Sequence, residues 1–325
     1  MAVRSRADVE QLLLEGARAG NLIPRLGPEE DAPLSFAQER MWLLEQMLPN
    51  VTAYNVPRLL RVPGRLDEAA LRSALDIVAS RHAAIRTGIS VVDGTLVQRA
   101  YDDRKIELEV HDLRETQEAP AQADHLVSEL AWRRFDLEQE TMVRAALIRM
   151  DDHDRLLLVS HHLVSDHGSG HILLTELSEA YDAACSGRPP LLPELPIQYA
   201  DVAAWQRDRM SGSRLNELTD HWRRRLAGIP DRFDLPFDRP RPPAKTYAGA
   251  EYRGTLPADL VGGLRALART RNVSFFPVLL AGFYTLLYRY TGTEDIVVGT
   301  PVSGRHHAET QPLIGLFSNT LALRT

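Results

Sequence analysis

The chain has 325 residues, 44% of them hydrophobic and 25% charged, with a formal net charge of −6 at pH 7. This is ordinary globular composition, long enough for a large core and two lobes. The acidic balance and the lack of any long apolar run argue against nucleic acid and membrane as partners. The single cysteine, Cys185, excludes an internal disulfide and fits a cytoplasmic protein.

Residues 7–19 predict a short amphipathic helix with Val9, Leu12 and Leu13 on one side, and the Pro-, Gly- and acid-rich run 21–33 predicts a linker. Ser35 and Gln38 have the spacing of a capping box, opening a helix that runs to about Met47. Pro57 to Pro63 reads as a strand. Asp67 caps the next helix, Leu66 and Leu71 staple it, and Ala70, Leu71, Ala74, Leu75 and Val78 form its inner stripe. Ile89 to Val92 and Leu96 to Tyr101 flank the turn signal Asp93-Gly94 and predict a hairpin. Ile106, Leu108 and Val110 alternate as a further strand, and 120–134 reads as helical.

Met142 to Met150 and Leu156 to Val159 read as two strands joined by the polar turn Asp151-Asp152-His153-Asp154. The second strand runs into His161-His162, and Asp166 follows four residues after the second histidine. Ser169 can cap a helix carrying Leu173, Leu177, Tyr181 and Ala184 at helical spacing, stopped by Gly187 and Pro189-Pro190. Cys185, near its end, reads as a small buried residue. Neighbouring strand residues point to opposite faces, so one histidine should look into the body of the protein and the other into a cavity. Beyond this, helices are predicted over 197–207, 213–227, 257–271 and 275–290. A Pro-rich extended segment is predicted at 230–245, and a strand and turn over 295–305.

His161-His162-x-x-x-Asp166 at a strand end resembles the signature of the condensation domains of nonribosomal peptide synthetases. Other stretches resemble further motifs of that family in the right order. They are Leu34 to Leu44 with Tyr54-Asn55-Val56-Pro57, Arg81 to Thr87, Ile197 to Arg207, and Leu313 to Arg324. The chain departs from the family at Met41, Ala83, His167 and Gly168. The resemblance implies the two-lobed α/β fold of chloramphenicol acetyltransferase, a mixed sheet with flanking helices in each lobe. It implies a leader and linker over 1–33, an N-terminal lobe over 34–187 that carries the histidine pair, and a C-terminal lobe over 188–325 that is truncated at Thr325.

The implied function is amide formation between a donor acyl or peptidyl thioester and an aminoacyl acceptor, each on its own carrier protein. Phosphopantetheine arms would arrive on those carriers and enter a tunnel between the lobes. No cofactor would be held permanently, and an adenylation domain would lie next to the chain. By the resemblance, His162 is the functional histidine, as base or as a group that orients the amine, and His161 is the inward-facing structural one. Asp166 has the chemistry to orient His162 as in a triad. The family instead implies a salt bridge to an arginine of the second lobe, for which Arg305 stands in the right place. Arg81 and Arg86 are expected to be structural, pairing charge in the interior. His167, Gly168 and Ser169 are expected to shape the tunnel, with bulk and flexibility exchanged between His167 and Gly168.

Two other readings exist. His153, His161, His162, His167, His171 and Asp166 crowd together, and His167 and His171 have the i, i+4 spacing of helical metal ligands, as in a metal-dependent hydrolase. No glutamate stands between them as in His-Glu-x-x-His, and no third ligand is marked, so no metal is expected. A catalytically inactive recruitment module of the same fold is the other reading, and the intact histidine pair argues against it. A heterocyclising domain would carry aspartates in place of the pair.

Overall fold

The structure, a computed structural model, describes residues 22–27, 31–48, 52–230, 233–240 and 249–325. The helix expected over 7–19 lies outside these residues, as do parts of the segments at 21–33 and 230–245. Packing divides the chain into two units. One holds the residues up to Gly212 together with Ser303–Asn319, and the other holds Ser213–Val302 with Thr320–Thr325.

The first unit contains β1 (Ala32–Pro33), α1 (Phe36–Met47), β2 (Asn55–Pro63), α2 (Glu68–Arg81), β3 (Thr87–Val92), β4 (Thr95–Ala100) and β5 (Leu108–Asp112). It continues with α3 (Ala119–Ala131), β6 (Val143–Arg149), β7 (His153–His161), α4 (His167–Cys185) and α5 (Tyr199–Arg209). Two of the linker residues thus form a strand, and β1, β4 and β3 make a small sheet in that order. The larger sheet runs β2-β7-β6-β5. β7 pairs antiparallel with β2 and with β6, while β5 and β6 are parallel. The sheet is therefore mixed.

β7 lies between two strands and under helices on both faces, which is why its apolar run does not alternate with polar residues. Leu156 and Leu158 pack with Leu71, Leu75 and Val78 of α2 and Leu173 and Leu177 of α4. Leu157 and Val159 point the other way, against Leu130 of α3 and Phe135. The caps of α1 and α2 form as the spacing predicts: Ser35 Oγ accepts from Gln38 N at 3.2 Å, and Asp67 Oδ1 accepts from Ala70 N at 2.7 Å.

Two local expectations change. Helix α4 starts at His167 with Asp166, not Ser169, as its N-cap, because Asp166 is extended and its Oδ1 accepts from Ser169 N at 2.8 Å. Cys185 is exposed rather than buried. The inward stripe of α4 runs through Leu173, Leu177, Ala180 and Ala183, which leaves Cys185 on the outer side.

The first unit also extends past residue 187. Leu195, Ile197, Tyr199 and Val202 share a core with Leu34, Met41, Leu163, Val164, Leu313, Leu316 and Phe317. Tyr199 is the keystone of that cluster. Its hydroxyl donates to Leu316 O at 2.7 Å and lies 2.8 Å from Ser35 Oγ, and burial pushes the phenol well up from its ordinary pKa.

The second unit carries α6 (Gly212–Arg225), α7 (Ala258–Thr270), α8 (Phe275–Thr291) and the paired strands β8 (Val297–Val302) and β9 (Asn319–Arg324). Arg324 forks onto Asp295 at 2.7 and 2.6 Å and donates to the carbonyls of Arg225 and Ala227, beyond the end of α6. Tyr284 of α8 donates to Leu323 O at 2.8 Å. Among the described residues no single helix is long and apolar enough to cross a membrane.

Candidate active site

The end of β7 decides where the two histidines go. His161 is its last residue, still extended, and its side chain is buried on the α3 side. Its ring lies edge-on to Phe135, with centroids 5.6 Å apart, and to Tyr54 at 6.5 Å. Its Nδ1 accepts from Leu163 N at 3.2 Å, and its Nε2 lies 3.3 Å from Oε1 of the buried Glu45.

His162 opens a single 3₁₀ turn, His162–Val164, and its backbone N–H donates to Tyr54 O at 2.8 Å. Because His161 is extended, the His162 side chain leaves on the opposite face, the one Ser160 shares. Leu163 and Val164 are fully buried and anchor the turn. The His162 ring is half-buried, and its Nδ1 is buried without a hydrogen-bond partner.

Asp166 does not serve His162. Its Oδ1 accepts from Ser169 N at 2.8 Å and from Arg305 Nη2 at 3.0 Å, and its Oδ2 accepts from the N–H groups of Phe317 and Ser318, each at 3.1 Å. A carboxylate offers about four lone-pair sites, so both oxygens are taken. Burial opposes ionisation of Asp166. The backbone and hydroxyl bonds from Ser169 and the Arg305 charge outweigh it, and hold the carboxyl below its ordinary pKa.

Arg305 is buried and bonded on both arms. Nη1 donates to the carbonyls of Thr310 at 2.6 Å and Leu313 at 2.8 Å, and Nη2 also donates to Ser169 Oγ at 2.8 Å. The guanidinium lies 4.0 Å over the Phe317 ring. The Ser169 hydroxyl accepts from Gly315 N at 3.0 Å and lies 2.7 Å from Gly315 O and 2.8 Å from Asp166 Oδ1, so its one proton serves either oxygen. Asp166, Ser169, Arg305 and the 313–318 segment thus form one closed network at the start of α4.

The three residues expected to shape a tunnel differ from one another. Ser169 is fully buried in the network and lines no open space. Gly168 faces the guanidinium; a Cβ there would lie 3.0 Å from Arg305 Nε. His167 is exposed and takes ordinary right-handed angles as the first residue of α4, so it carries no left-handed strain.

Arg81 and Arg86 lie apart from this network. Arg81 pairs with Glu176 at 3.0 Å, and Arg86 donates to the carbonyls of Ala79 and Tyr101 and to Asp102. The crowded histidines do not converge on a metal site. His161 is turned to Glu45, His153 Nδ1 lies against Asp152, and no cluster of three metal-ligating side chains forms among the described residues.

Sequence reasoning missed Glu45, His82 and Arg58. Glu45 lies four residues after Met41 and seven after Gln38, the two other buried residues of α1, so a carboxylate in an inward stripe was the available signal. His82 is buried between Glu176, 2.7 Å from its Nε2, and Ile314 N, 3.4 Å from its Nδ1. Arg58 donates to Ser160 Oγ at 3.1 Å and occupies the space above Gly170, where a Cβ would meet Nη2 at 1.9 Å. Burial lowers its pKa, and the Asp166 charge partly offsets that.

The chain is similar to known proteins. The family profile described as "Condensation domain" matches residues 28–325. A linear gramicidin synthase polypeptide of Brevibacillus parabrevis is 43% identical over 306 residues, covering 93% of this chain and 4% of the synthase polypeptide. Phosphinothricin tripeptide synthetase PhsB of Streptomyces viridochromogenes is 41% identical over 307 residues, covering 93% of this chain and 26% of that protein. The chain therefore spans a small part of the relatives it matches. Among solved structures, the X-domain from teicoplanin biosynthesis superposes with a TM-score of 0.83 at 29% identity, covering 94% of this chain and 67% of that one.

Proposed function

Because the chain belongs to the condensation-domain family, we propose that it joins a carrier-bound acyl or peptidyl thioester to a carrier-bound aminoacyl group, with His162 as the residue that meets the reacting amine. In this reaction the acceptor nitrogen attacks the thioester carbonyl carbon. The C–N bond forms, the C–S bond breaks, and the proton shed by the amine ends on the departing phosphopantetheine sulfur. One observation carries the reading: a half-buried histidine stands at a strand end with one nitrogen turned inward, on a turn braced from both sides.

The same geometry bears on the role proposed for His162. A triad aspartate stabilises a charged imidazole, and here Asp166 is spent on Arg305, Ser169 and two backbone amides. His162 Nδ1 has no carboxylate bonded to it, so no residue plays the triad aspartate's part toward this ring. In this reading the ring orients the amine and relays its proton to the sulfur. The donor and acceptor carriers, the phosphopantetheine arms they deliver, a neighbouring adenylation domain and a cytoplasmic setting belong to this proposal. The synthetases that the chain resembles support the carriers, their phosphopantetheine arms and the adenylation domain.

The test is single-turnover transfer between loaded carriers, in a synthetase that contains this chain. His162→Ala should stay folded and lose about 10²- to 10⁴-fold in rate, the usual worth of a positioned proton-transfer group. A wild-type rate in folded His162→Ala sinks the assignment. Absence of transfer by the wild type across donor and acceptor pairs would favour a recruitment role instead.

A further inference from the structure

Glu45 is buried on the inner face of α1, in line with Gln38 and Met41. A buried carboxylate is costly unless a partner holds it. Among the described residues, no lysine or arginine lies within salt-bridge distance of Glu45, and its partner is Nε2 of His161, at 3.3 Å.

The other side of that ring fixes what the contact means. His161 Nδ1 accepts the backbone N–H of Leu163 at 3.2 Å, so Nδ1 carries a lone pair and the ring proton sits on Nε2, where it is donated to Glu45. The opposite tautomer would set N–H against N–H at Leu163, and lone pair against carboxylate at Glu45. A doubly protonated ring would clash at Leu163 as well. Glu45 and Leu163 therefore select one neutral form of His161 from its two ends. Leu163 N–H is an early donor of the 3₁₀ turn that starts at His162, and the other backbone hydrogen bonds of that turn are His162 N to Tyr54 O at 2.8 Å and Ser165 N to His162 O at 3.3 Å, its remaining anchorage being the buried side chains of Leu163 and Val164.

We propose that Glu45 is a positioning residue of the site: by locking the tautomer of His161 it fixes the Leu163 amide, and through that turn the direction of His162. The link from Glu45 to catalysis rests on the role proposed for His162, while the link from Glu45 to the turn does not.

The experiment compares Glu45→Met, which keeps length and loses the acceptor, with Glu45→Gln, which keeps an acceptor oxygen. Nitrogen-15 NMR of the His161 ring, hydrogen exchange at the Leu163 amide and single-turnover transfer are read on each. Wild type should show neutral His161 with the proton on Nε2. In Glu45→Met the second tautomer should appear and Leu163 exchange should rise at least tenfold. Transfer should fall roughly tenfold to a hundredfold with carrier KM unchanged, the scale expected when a reacting group is misaligned. Glu45→Gln should restore all three. A wild-type His161 charged or protonated on Nδ1 overturns the proposal without any variant, which covers the case in which Glu45→Met does not fold. A folded Glu45→Met with unchanged tautomer and exchange overturns it too, as does a Gln variant as damaged as Met. If tautomer and exchange shift as expected while wild type shows no transfer, the proposed function fails and the positioning of the turn stands.

Discussion

Arg305 Nη2 and Asp166 Oδ1 lie 3.0 Å apart with both side chains buried, 139 residues apart in sequence. The pair joins the N-cap of α4 to the segment that carries Leu313 and Phe317, and so holds the turn after His162 from the far side.

Breaking this pair from one end should cost far more than removing the histidine it supports. Arg305→Met leaves the Asp166 carboxylate buried without its cation, for an expected loss of about 3–5 kcal/mol. His162→Ala removes a half-buried ring whose Nδ1 bonds to nothing, and should cost about 1 kcal/mol or less. Denaturant midpoints of the two variants check the contrast, and equal losses would contradict it.

The pH dependence follows from the sign of the Asp166 shift. Its folded pKa lies below the ordinary 3.8, so the unfolded chain takes up the proton first as pH falls. The stabilisation is complete above the unfolded value, and is lost as pH drops from about 4 through the folded value. Glu176 is lowered in the same sense. Burial opposes its ionisation, and the hydrogen bond from His82 together with the charge and hydrogen bond of Arg81 outweighs it. Stability measured from pH 6 to pH 2 should decline mainly below about pH 4.5, the ordinary glutamate value. In Asp166→Asn part of that decline should be missing.

Two glycines of the site should respond differently to a single methyl group. At Gly315 a Cβ would fall 2.0 Å from the ring of buried Tyr199, which has no room to move, so Gly315→Ala should cost about 3 kcal/mol or more. At Gly170 the Cβ meets the far end of Arg58, which can swing away and give up only its bond to Ser160, so Gly170→Ala should cost about 1 kcal/mol. Thermal unfolding of both variants reads the difference.

His167→Gly should leave acceptor preference unchanged, since the side chain is exposed at the first position of α4 and its backbone is unstrained. The expected loss is about 0.5–1 kcal/mol, from the added freedom of the unfolded chain. A variant that takes bulkier acceptors would put the imidazole inside the substrate path.

Much of the first unit was legible because its signals are local. The Ser35 and Asp67 caps, the inner stripe of α2 and the Asp93-Gly94 turn all depend on residues a few positions apart. The exchange between faces that separates His161 from His162 follows from strand geometry alone. Legibility ended where partners lie far apart. Glu45 meets a histidine 116 residues away, and Tyr199 meets a carbonyl 117 residues away. Ser169 and Asp166 are both good capping residues, and only the extended backbone at Asp166 decides between them. Ser303–Asn319 packs with the first unit through the buried Arg305 network and Leu313, Leu316 and Phe317; the family resemblance marks Arg305 and this stretch, whereas no local periodicity does.

The register between β2 and β7 is continuous, from Asn55 opposite His161 to Pro63 opposite His153. His161 and His162 are the same residue type, and what separates their fates is that His161 closes the ladder on an inward-facing position while His162, one residue on, opens the turn with its side chain on the opposite face. A one-residue insertion or deletion within β7 that slid its end along β2 would turn the sealed ring outward and the open ring inward, with both histidines still present. A change in the turn at Asp151 and Asp152 would leave the count intact. Indels in descendants of this chain should therefore be tolerated at that turn and purged between Asp154 and Ser160, even though no side chain in that stretch takes part in the chemistry. The parity of the strand, as much as the identity of the side chain, is what heredity must conserve here.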